Sequence, residues 1–263
     1  PISEYDPLHN GHAWQLAQAK ALGAERVAVA MSCSLVQRGA LPLLPEAVRT
    51  RSALTCGADL VFALPAPCAC AGAEAFARAG VALLAAAGCD GLVFGAETPD
   101  AALLMEAAEL LDSGSYRAAL KAQLAGGARS FAAARQAAAA QLASDERVAA
   151  LLDKPNNNLA VEYCRAIRSL APRMEAYPLP RQGANHGEAL HSAHGQFASA
   201  SALRKLWAEG GADAVAPYVP EAVFPLYQEA YAAGQYTDFS AAGRCELALL
   251  RSACRGKAPF ADR

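Results

Sequence analysis

Short apolar runs alternate with helix-like stretches over the first hundred residues. Residues 25–31, 58–65 and 89–95 are largely apolar runs that contain Val, Leu or Phe, which is typical of strands buried on both faces of a parallel sheet. Residues 45–56 and 71–87 have the character of helices between these runs. The repeated strand, loop and helix order predicts an α/β fold with a doubly wound parallel sheet and right-handed crossovers.

The pattern changes near residue 100. Residues 100–153 are rich in Ala, Leu, Gln and Arg and carry no strand signal, so they predict an Ala-rich helical insert. Residues 154–210 return to a helix, strand and helix pattern, and they would complete the α/β domain that residues 1–99 begin. Residues 211–263 are expected to form a helical C-terminal segment.

Composition narrows the class of protein. Hydrophobic residues make up 54% of the 263 residues and charged residues 18%, which favours a globular chain over a disordered one. The net charge of −2 gives no support of its own for a nucleic-acid partner. No apolar run has the length of a bilayer span. The chain is therefore expected in the cytoplasm, with no membrane partner.

The eight cysteines are expected to be reduced thiols. Most of them lie in apolar surroundings, where cysteine behaves as a small hydrophobic residue. The pair Cys68 and Cys70 has no second Cys or His pair at zinc spacing. We therefore predict no metal site held by protein ligands.

The first residues contain the strongest chemical signal, the stretch "EYDPLHNGH". Asn10-Gly11 favours a tight turn, and a helix is expected from Ala13 onward. Free backbone N–H groups and the helix dipole would then face the turn and form an anion site. His9 and His12 could donate to phosphate oxygens there, although two surface histidines or a metal-binding pair have the same spacing.

Six segments in order carry a resemblance to a known family: "EYDPLHNGHAWQLAQAK", "VAMSCSLVQRG", "GADLVFALP", "GLVFGAE", "KPNNNLAVEY" and "ASASALRK". They resemble the tRNA(Met) cytidine acetate ligase family, within the superfamily of HxGH nucleotidylyltransferases. The resemblance implies a Rossmann-like nucleotide-binding domain formed by residues 1–99 and 154–210. It also implies that ATP activates acetate as acetyl-adenylate, and that the acetyl group passes to N4 of the wobble cytidine of elongator tRNA(Met). Mg²⁺ would arrive with ATP.

The resemblance also implies site residues. His9 and His12 would be catalytic. The ATP contacts would come from Ile2, Ser3, Glu4, Tyr5, Asp6, Pro7, Leu8, His9, Asn10, Gly11, His12, Ala13, Gly95, Asn156, Arg181, Ser199, Ser201 and Arg204. Gln37 and Arg38, in a loop after the second strand, are weaker candidates for contact with acetate or cytidine.

Several of these residues also have ordinary structural explanations. Gly95 could simply end a strand, and Arg181 could be an exposed loop residue. Asn156 could be a helix N-cap, with Asn157 as the alternative nucleotide ligand. Ser199, Ser201 and Arg204 would likewise suit a plain capped helix. Loop histidines His186, His191 and His194 are expected to be solvated rather than bound to zinc.

The chain departs from the family pattern in places. Asp6 replaces the usual Asn and Leu8 the usual Phe, "SCS" (residues 32–34) replaces "SGN", and residues 45–47 lack the usual lysine. Family members also run well past residue 263. Two alternatives therefore stay open: an adenylyltransferase acting on a small phosphorylated acceptor, and a nucleotide-binding protein that no longer catalyses.

Overall fold

A computed structural model describes residues 1–128, 130–181 and 197–253. The strands are β1 (Ile2–Ser3), β2 (Ala28–Ser32), β3 (Leu60–Leu64), β4 (Gly91–Ala96) and β5 (Glu175–Pro180). The α-helices within these ranges are α1 (Asn10–Ala21), α2 (Glu46–Thr55), α3 (Ala66–Ala69), α4 (Ala73–Ala86), α5 (Ala101–Asp112), α6 (Gly114–Ala125), α7 (Phe131–Leu142), α8 (Glu146–Leu151), α9 (Pro155–Leu170), α10 (Ala200–Gly210), α11 (Phe224–Ala232) and α12 (Phe239–Ala253). The predicted loop with His186, His191 and His194 lies outside the described residues.

All described strand pairs are parallel, which confirms the predicted α/β class. β2 pairs with β1 on one side and with β3 on the other, and β4 pairs with β5, where Gly95 lies opposite Leu179. The five strands form two hydrogen-bonded groups rather than the one continuous sheet that the sequence predicts. The two-residue β1 explains this break, because it offers few backbone groups for a second partner.

Both faces of β4 are covered, as a doubly wound fold requires of a central strand. β3 does not meet the expectation of burial on both faces, because Leu60 is 54% exposed. In β4, Leu92, Phe94 and Ala96 join one buried cluster with helices α4, α5 and α9. Val93, which points to the other face, joins a second cluster with α1, α2, α10 and α11. Because the paired strands are parallel, the carboxyl ends of the strands within each group lie on the same side, together with the starts of the helices that follow them.

The described residues from Ala101 to Leu151 form helices α5 to α8 with no strand among them. Leu104 and Ala108 of α5 are buried in the same cluster as α4 and α9. The C-terminal part is also helical where it is described, and its helix α11 packs against α2. Among the helices in the described ranges, none is both long and apolar enough to cross a bilayer.

Candidate functional site

Helix α1 begins at the histidine motif. His9 is its N-cap, and His9 Nδ1 accepts a hydrogen bond from the Gly11 N–H at 3.1 Å. The N–H groups of His12 and Ala13 donate to the His9 carbonyl at 2.9 and 3.1 Å. This corrects two expectations: the helix starts at Asn10 rather than Ala13, and these three backbone donors are not free for a ligand. The cause is that His9 is the N-cap residue: its side chain accepts from Gly11, and its backbone carbonyl accepts from His12 and Ala13.

The capping bond fixes the tautomer of His9. A neutral imidazole has one donor and one acceptor nitrogen, so a ring that accepts at Nδ1 carries its proton on Nε2. Burial, and then the nearby Arg181 guanidinium, lower the pKa of His9 to about 3. Burial, His9 and Arg181 hold the pKa of His12 well below 6.5. Both rings are therefore neutral near pH 7, and His9 Nε2–H is a hydrogen-bond donor.

The two rings form a fixed stack. The His9 and His12 ring centroids are 3.8 Å apart at an interplanar angle of 26°. The Tyr5 ring meets His12 edge-on, with a centroid distance of 5.0 Å. Tyr5 is fully buried and takes a left-handed backbone conformation, with φ of 47°, which is uncommon for a residue other than glycine. His12 Nδ1 is buried, and no described residue hydrogen-bonds to it.

Arg181 and Gly95 lie side by side at the ends of β5 and β4. The Arg181 N–H donates to the Ala96 carbonyl at 3.2 Å, so this arginine directly continues the pairing of β5 with β4. A Cβ built on Gly95 would lie 3.5 Å from Arg181 Cγ, an ordinary contact. The positive charge of the Arg181 guanidinium is one of the causes of the lowered pKa of both imidazoles. Of the predicted residues, the structure thus pairs His9 with His12 at the start of α1, and Gly95 with Arg181 at the joined ends of β4 and β5.

Asp6 is buried, and both of its carboxylate oxygens have hydrogen-bond partners. Its side chain is 2% exposed. Asp6 Oδ1 accepts from the Leu43 N–H at 2.5 Å, and Oδ2 accepts from Arg204 Nη1 at 3.1 Å. Arg204 Nη1 also donates to the Asp6 carbonyl at 2.6 Å. Arg204, expected to face phosphate, here holds α10 against the loop before α1.

The serines of α10 act as a helix cap. Ser199 is the N-cap residue, and its Oγ accepts from the Ala202 N–H at 3.3 Å. The Oγ atoms of Ser199 and Ser201 are 3.0 Å apart. Within the described residues these hydroxyls therefore serve the start of α10.

Glu97 occupies the N-terminus of α9. The Asn156 side chain donates to Glu97 Oε1 at 2.6 Å, and the Asn157 N–H donates to Oε2 at 2.6 Å. The N-cap is Lys154, so Asn156 is not the cap residue. The Asn157 side chain is buried and bonds to Thr98. Sequence reasoning missed Glu97, which joins the end of β4 to α9.

Glu4 connects the opening loop to the loop that carries Gln37 and Arg38. Glu4 Oε1 accepts from the Gln37 N–H at 2.6 Å. Burial raises the pKa of Glu4 above its usual value. Gln37 begins a short 3-10 helix, Gln37–Gly39, and is exposed. The structure thus places this loop next to the stretch that precedes α1.

Arg49 is a second residue that sequence reasoning missed. It is fully buried and belongs to α2. Its guanidinium donates to the carbonyls of Leu44 at 3.0 Å, Glu4 at 2.7 Å and Ser32 at 2.6 Å, and also to that of Cys33. Arg49 therefore ties the ends of β1 and β2 and the loop before α2 to one another.

The remaining residues of the opening stretch are largely core. Tyr5, Pro7 and Leu8 are buried, and the Leu8 carbonyl accepts from the Tyr227 hydroxyl at 2.9 Å. Ile2 packs against α4, where a Cβ on Gly80 would meet Ile2 Cδ1 at 2.5 Å. Ser3 belongs to β1, and Asn10 Nδ2 donates to the Pro217 carbonyl at 3.4 Å. Buried side chains among these could offer a ligand only their backbone.

The cysteines and acidic residues give no metal centre in the part of the chain that is described. The cysteines within it, Cys68 and Cys70 included, are all free thiols. In the same ranges no group of three or more His, Cys, Asp or Glu side chains could hold a metal ion.

Curated relatives match most of this chain. A protein from Syntrophotalea carbinolica named tRNA(Met) cytidine acetate ligase is 41% identical over 212 residues, which cover 80% of this chain and 50% of the relative. A protein of the same name from Caldanaerobacter subterraneus subsp. tengcongensis is 35% identical over 238 residues, covering 89% of this chain and 59% of the relative. The chain thus spans about half of their length.

Solved structures and a family model agree with these relatives. Thermotoga maritima TmcAL bound with alpha-thio ATP superposes with a TM-score of 0.81 at 30% identity, and covers 89% of this chain and 56% of that chain. Its apo form gives a TM-score of 0.83. The family model described as HIGH Nucleotidyl Transferase matches residues 2–253. The chain therefore belongs to the HIGH nucleotidyl transferase family.

Proposed function

We propose that this chain activates acetate with ATP and transfers the acetyl group to N4 of the wobble cytidine of elongator tRNA(Met). One observation carries the proposal most directly: two stacked, neutral histidines stand at the start of α1, and the positive charge of Arg181 acts on both of them. The proposal is also supported by the 41% identity to a relative named tRNA(Met) cytidine acetate ligase, and by the likeness to a structure bound with alpha-thio ATP.

The residues present fit the triphosphate of ATP. His9 Nε2–H is a neutral donor with no described acceptor, and Arg181 adds a positive charge beside it. The start of α1 adds the favourable field of a helix N-terminus. The carboxylate closest in sequence, Asp6, is already neutralised by Arg204. A chain with these groups would favour an anion at this edge of the sheet.

The proposed reaction has two steps. The acetate oxygen attacks the α-phosphorus of ATP, the bond between that phosphorus and the α,β-bridging oxygen breaks, and pyrophosphate leaves, giving acetyl-adenylate. The cytidine N4 then attacks the acyl carbon and AMP leaves, while N4 loses a proton. His9 and His12 would stabilise the charge that develops on the phosphate oxygens in the first step. Neutral donors suit this role because they need no proton transfer.

Mg²⁺ would enter with the nucleotide in this proposal. The carboxylates of the opening loop already have partners: Glu4 Oε1 accepts from the Gln37 N–H, and Asp6 accepts from the Leu43 N–H and from Arg204. The metal would neutralise part of the phosphate charge. Free thiols among the described cysteines are in keeping with the cytoplasm, where we place the protein.

Exchange of label between pyrophosphate and ATP tests the first step. We expect exchange that requires acetate, and transfer of labelled acetate to elongator tRNA(Met) when tRNA is added. Exchange that requires a different acceptor would favour the adenylyltransferase alternative. ATP binding without any exchange would favour a protein that no longer catalyses.

A further inference from the structure

A cavity separate from the histidine pair lies between α4, α5, α6, α7 and α9. It has a volume of about 530 Å³ and is lined by Arg117, Phe131, Arg135, Glu162 and Arg165 among others. We call it the arginine cavity. Its volume lies in the range of small-ligand sites. None of these residues belongs to the group around His9 and His12.

The floor of the arginine cavity is a buried ion network. Glu162 is 2% exposed and pairs with both Arg135 and Arg165. Arg165 Nε also donates to Asp112 Oδ1 at 2.7 Å, and its Nη1 lies 3.5 Å from a Glu74 carboxylate oxygen. These contacts hold both guanidinium groups in place in the lining of the cavity.

The rim carries positive charge that is not neutralised. Arg117 is exposed and makes no ion pair within the described ranges. Arg78, also on the rim, donates to the Ser169 hydroxyl at 3.1 Å. With Arg135 and Arg165, four arginines face Glu74, Asp112 and Glu162, a net charge of +1. The start of α4 adds to this, because its N-cap Gly72 has no side chain to satisfy the first N–H groups.

An exposed aromatic ring completes the arginine cavity. Phe131 opens α7, is 61% exposed, and stands one helical turn before Arg135. Cations beside an accessible aromatic face are the groups that hold the phosphates and bases of single-stranded nucleic acid. An apolar side chain so exposed on a charged rim contributes little to the core.

We propose that the arginine cavity binds one nucleotide unit of an RNA strand, with its phosphodiester at Arg117 and its base against Phe131. This proposal rests on the proposed function in one respect: a tRNA substrate would supply the RNA strand. The RNA site could be disproved while the proposed ATP chemistry stands, because acetate-dependent pyrophosphate exchange does not involve this cavity.

Fluorescence anisotropy with a labelled single-stranded oligoribonucleotide tests the proposal, using the full chain and saturating ATP to fill the first site. The variants are Arg117→Ala and Phe131→Ala. Lys121→Ala is the matched control for charge on the same helix, and Leu124→Ala is the control for an exposed apolar side chain. Thermal melting shows that each variant is folded.

We expect Phe131→Ala to weaken oligonucleotide binding by about 5- to 150-fold, the range for loss of one stacked base. Arg117→Ala should weaken binding and reduce the slope of log K against log salt by about 0.7, the value for one phosphate contact on a single strand. The two control variants should retain the wild-type slope and affinity.

Competition by AMP separates the sources of the nucleotide. AMP could displace the oligonucleotide, and Phe131→Ala could weaken the binding of AMP as much as that of the oligonucleotide. That result would mean that the cavity binds free nucleotides, and it would contradict the assignment of an RNA strand. If only the oligonucleotide binds, the strand is supported. Affinities of Arg117→Ala and Phe131→Ala equal to those of their controls would overturn the proposal.

Discussion

At the scale of single residues, the charge state of the histidine pair decides the chemistry. A stacked pair of imidazolium rings would repel each other, whereas two neutral rings can stack at 3.8 Å and still donate. The low pKa of both rings follows from burial and from Arg181. The pair is therefore suited to stabilising charge rather than to acid–base catalysis near pH 7.

His12→Ala is the direct test of this role. Removal of one oriented donor should raise the barrier of adenylate formation by about 2.7–4 kcal/mol, a loss of about 10²- to 10³-fold in kcat. The measurement is acetate-dependent pyrophosphate exchange, with a thermal melt to show that the variant is folded. A folded variant that exchanges at the wild-type rate would contradict the assignment.

Asp6→Asn tests the carboxylate that departs from the family pattern. The amide oxygen can still accept from the Leu43 N–H, but the negative charge that pairs with Arg204 is gone. We expect ATP to bind roughly two- to tenfold more tightly, because a like charge is removed and Arg204 is released. Isothermal titration gives the Kd.

The exposed Asp90 at the opposite end of β4 provides the control. Asp90→Asn makes the same change in net charge away from the histidine pair, so its Kd for ATP should stay at the wild-type value. Equal affinities for the Asp6→Asn and Asp90→Asn variants would show that the pair with Arg204 does not limit nucleotide binding.

At the scale of elements, the strand glycines differ in what surrounds them. A Cβ on Gly95 meets only Arg181 Cγ at 3.5 Å, whereas a Cβ on Gly91 meets the Tyr177 ring at 2.8 Å. Gly95→Ala should therefore leave the melting temperature unchanged or slightly higher, and weaken ATP binding if the nucleotide approaches the backbone there. Gly91→Ala should lower stability by about 1–3 kcal/mol with no change in Kd. Unchanged ATP affinity in Gly95→Ala would remove Gly95 from the site.

Arg49 is expected to hold the floor of the site together. Arg49→Met keeps the volume but leaves the carbonyls of Glu4, Ser32 and Cys33 without their donor, which should cost roughly 3–5 kcal/mol. On the same helix, Arg51 is exposed and pairs with Glu229 at 3.6 Å, so Arg51→Ala should cost only about 0–1 kcal/mol. Urea denaturation measures both, and similar costs would mean that Arg49 is not needed for the fold.

The elements themselves followed from local patterns, but several contacts did not. Continuous apolar runs predicted β2 to β4, and the Ala-rich composition of residues 100–153 predicted the helices of the insert. The start of α1 was missed because a histidine side chain rather than a serine or aspartate caps it. The pairing of Glu97 with α9, across about 60 positions of sequence, leaves no local signal.

For Arg49, the sequence does contain a pattern that indicates burial. It shares a face of α2 with the buried residues Ser52 and Ala53, at spacings of three and four, and an arginine on an apolar face predicts a buried partner. What the sequence did not contain was the identity of the acceptors, since they are backbone carbonyls from distant segments. Side-chain patterns cannot reveal such acceptors.

At the scale of the whole molecule, stability depends on pH through groups with opposite shifts. The lowered pKa of His9 and His12 means that the unfolded chain binds more protons below about pH 6.5, so stability falls as pH decreases. The raised pKa of Glu4 and Asp6 acts in the opposite direction: the native state binds more protons between the unfolded and folded values. These effects partly cancel in the wild-type protein.

A comparison with His12→Gln isolates the histidine contribution. Glutamine does not titrate, so the wild type should lose free energy of unfolding relative to the variant as pH falls from 7 to 5, by up to about 1.4 kcal/mol per pH unit. Urea denaturation at several pH values gives the difference. Parallel curves for the two proteins would mean that His12 has an ordinary pKa in the folded state.

The carboxylate of Glu97 at the start of α9 restricts the orientation in which an anionic ligand can bind. An internal anion already satisfies that helix end, so incoming negative groups are repelled from it and attracted instead to the neighbouring end at His9. The edge of the sheet thus has a polarity of its own. A ligand with a negatively charged end, such as a triphosphate, is therefore expected to bind with that end toward His9 and away from Glu97.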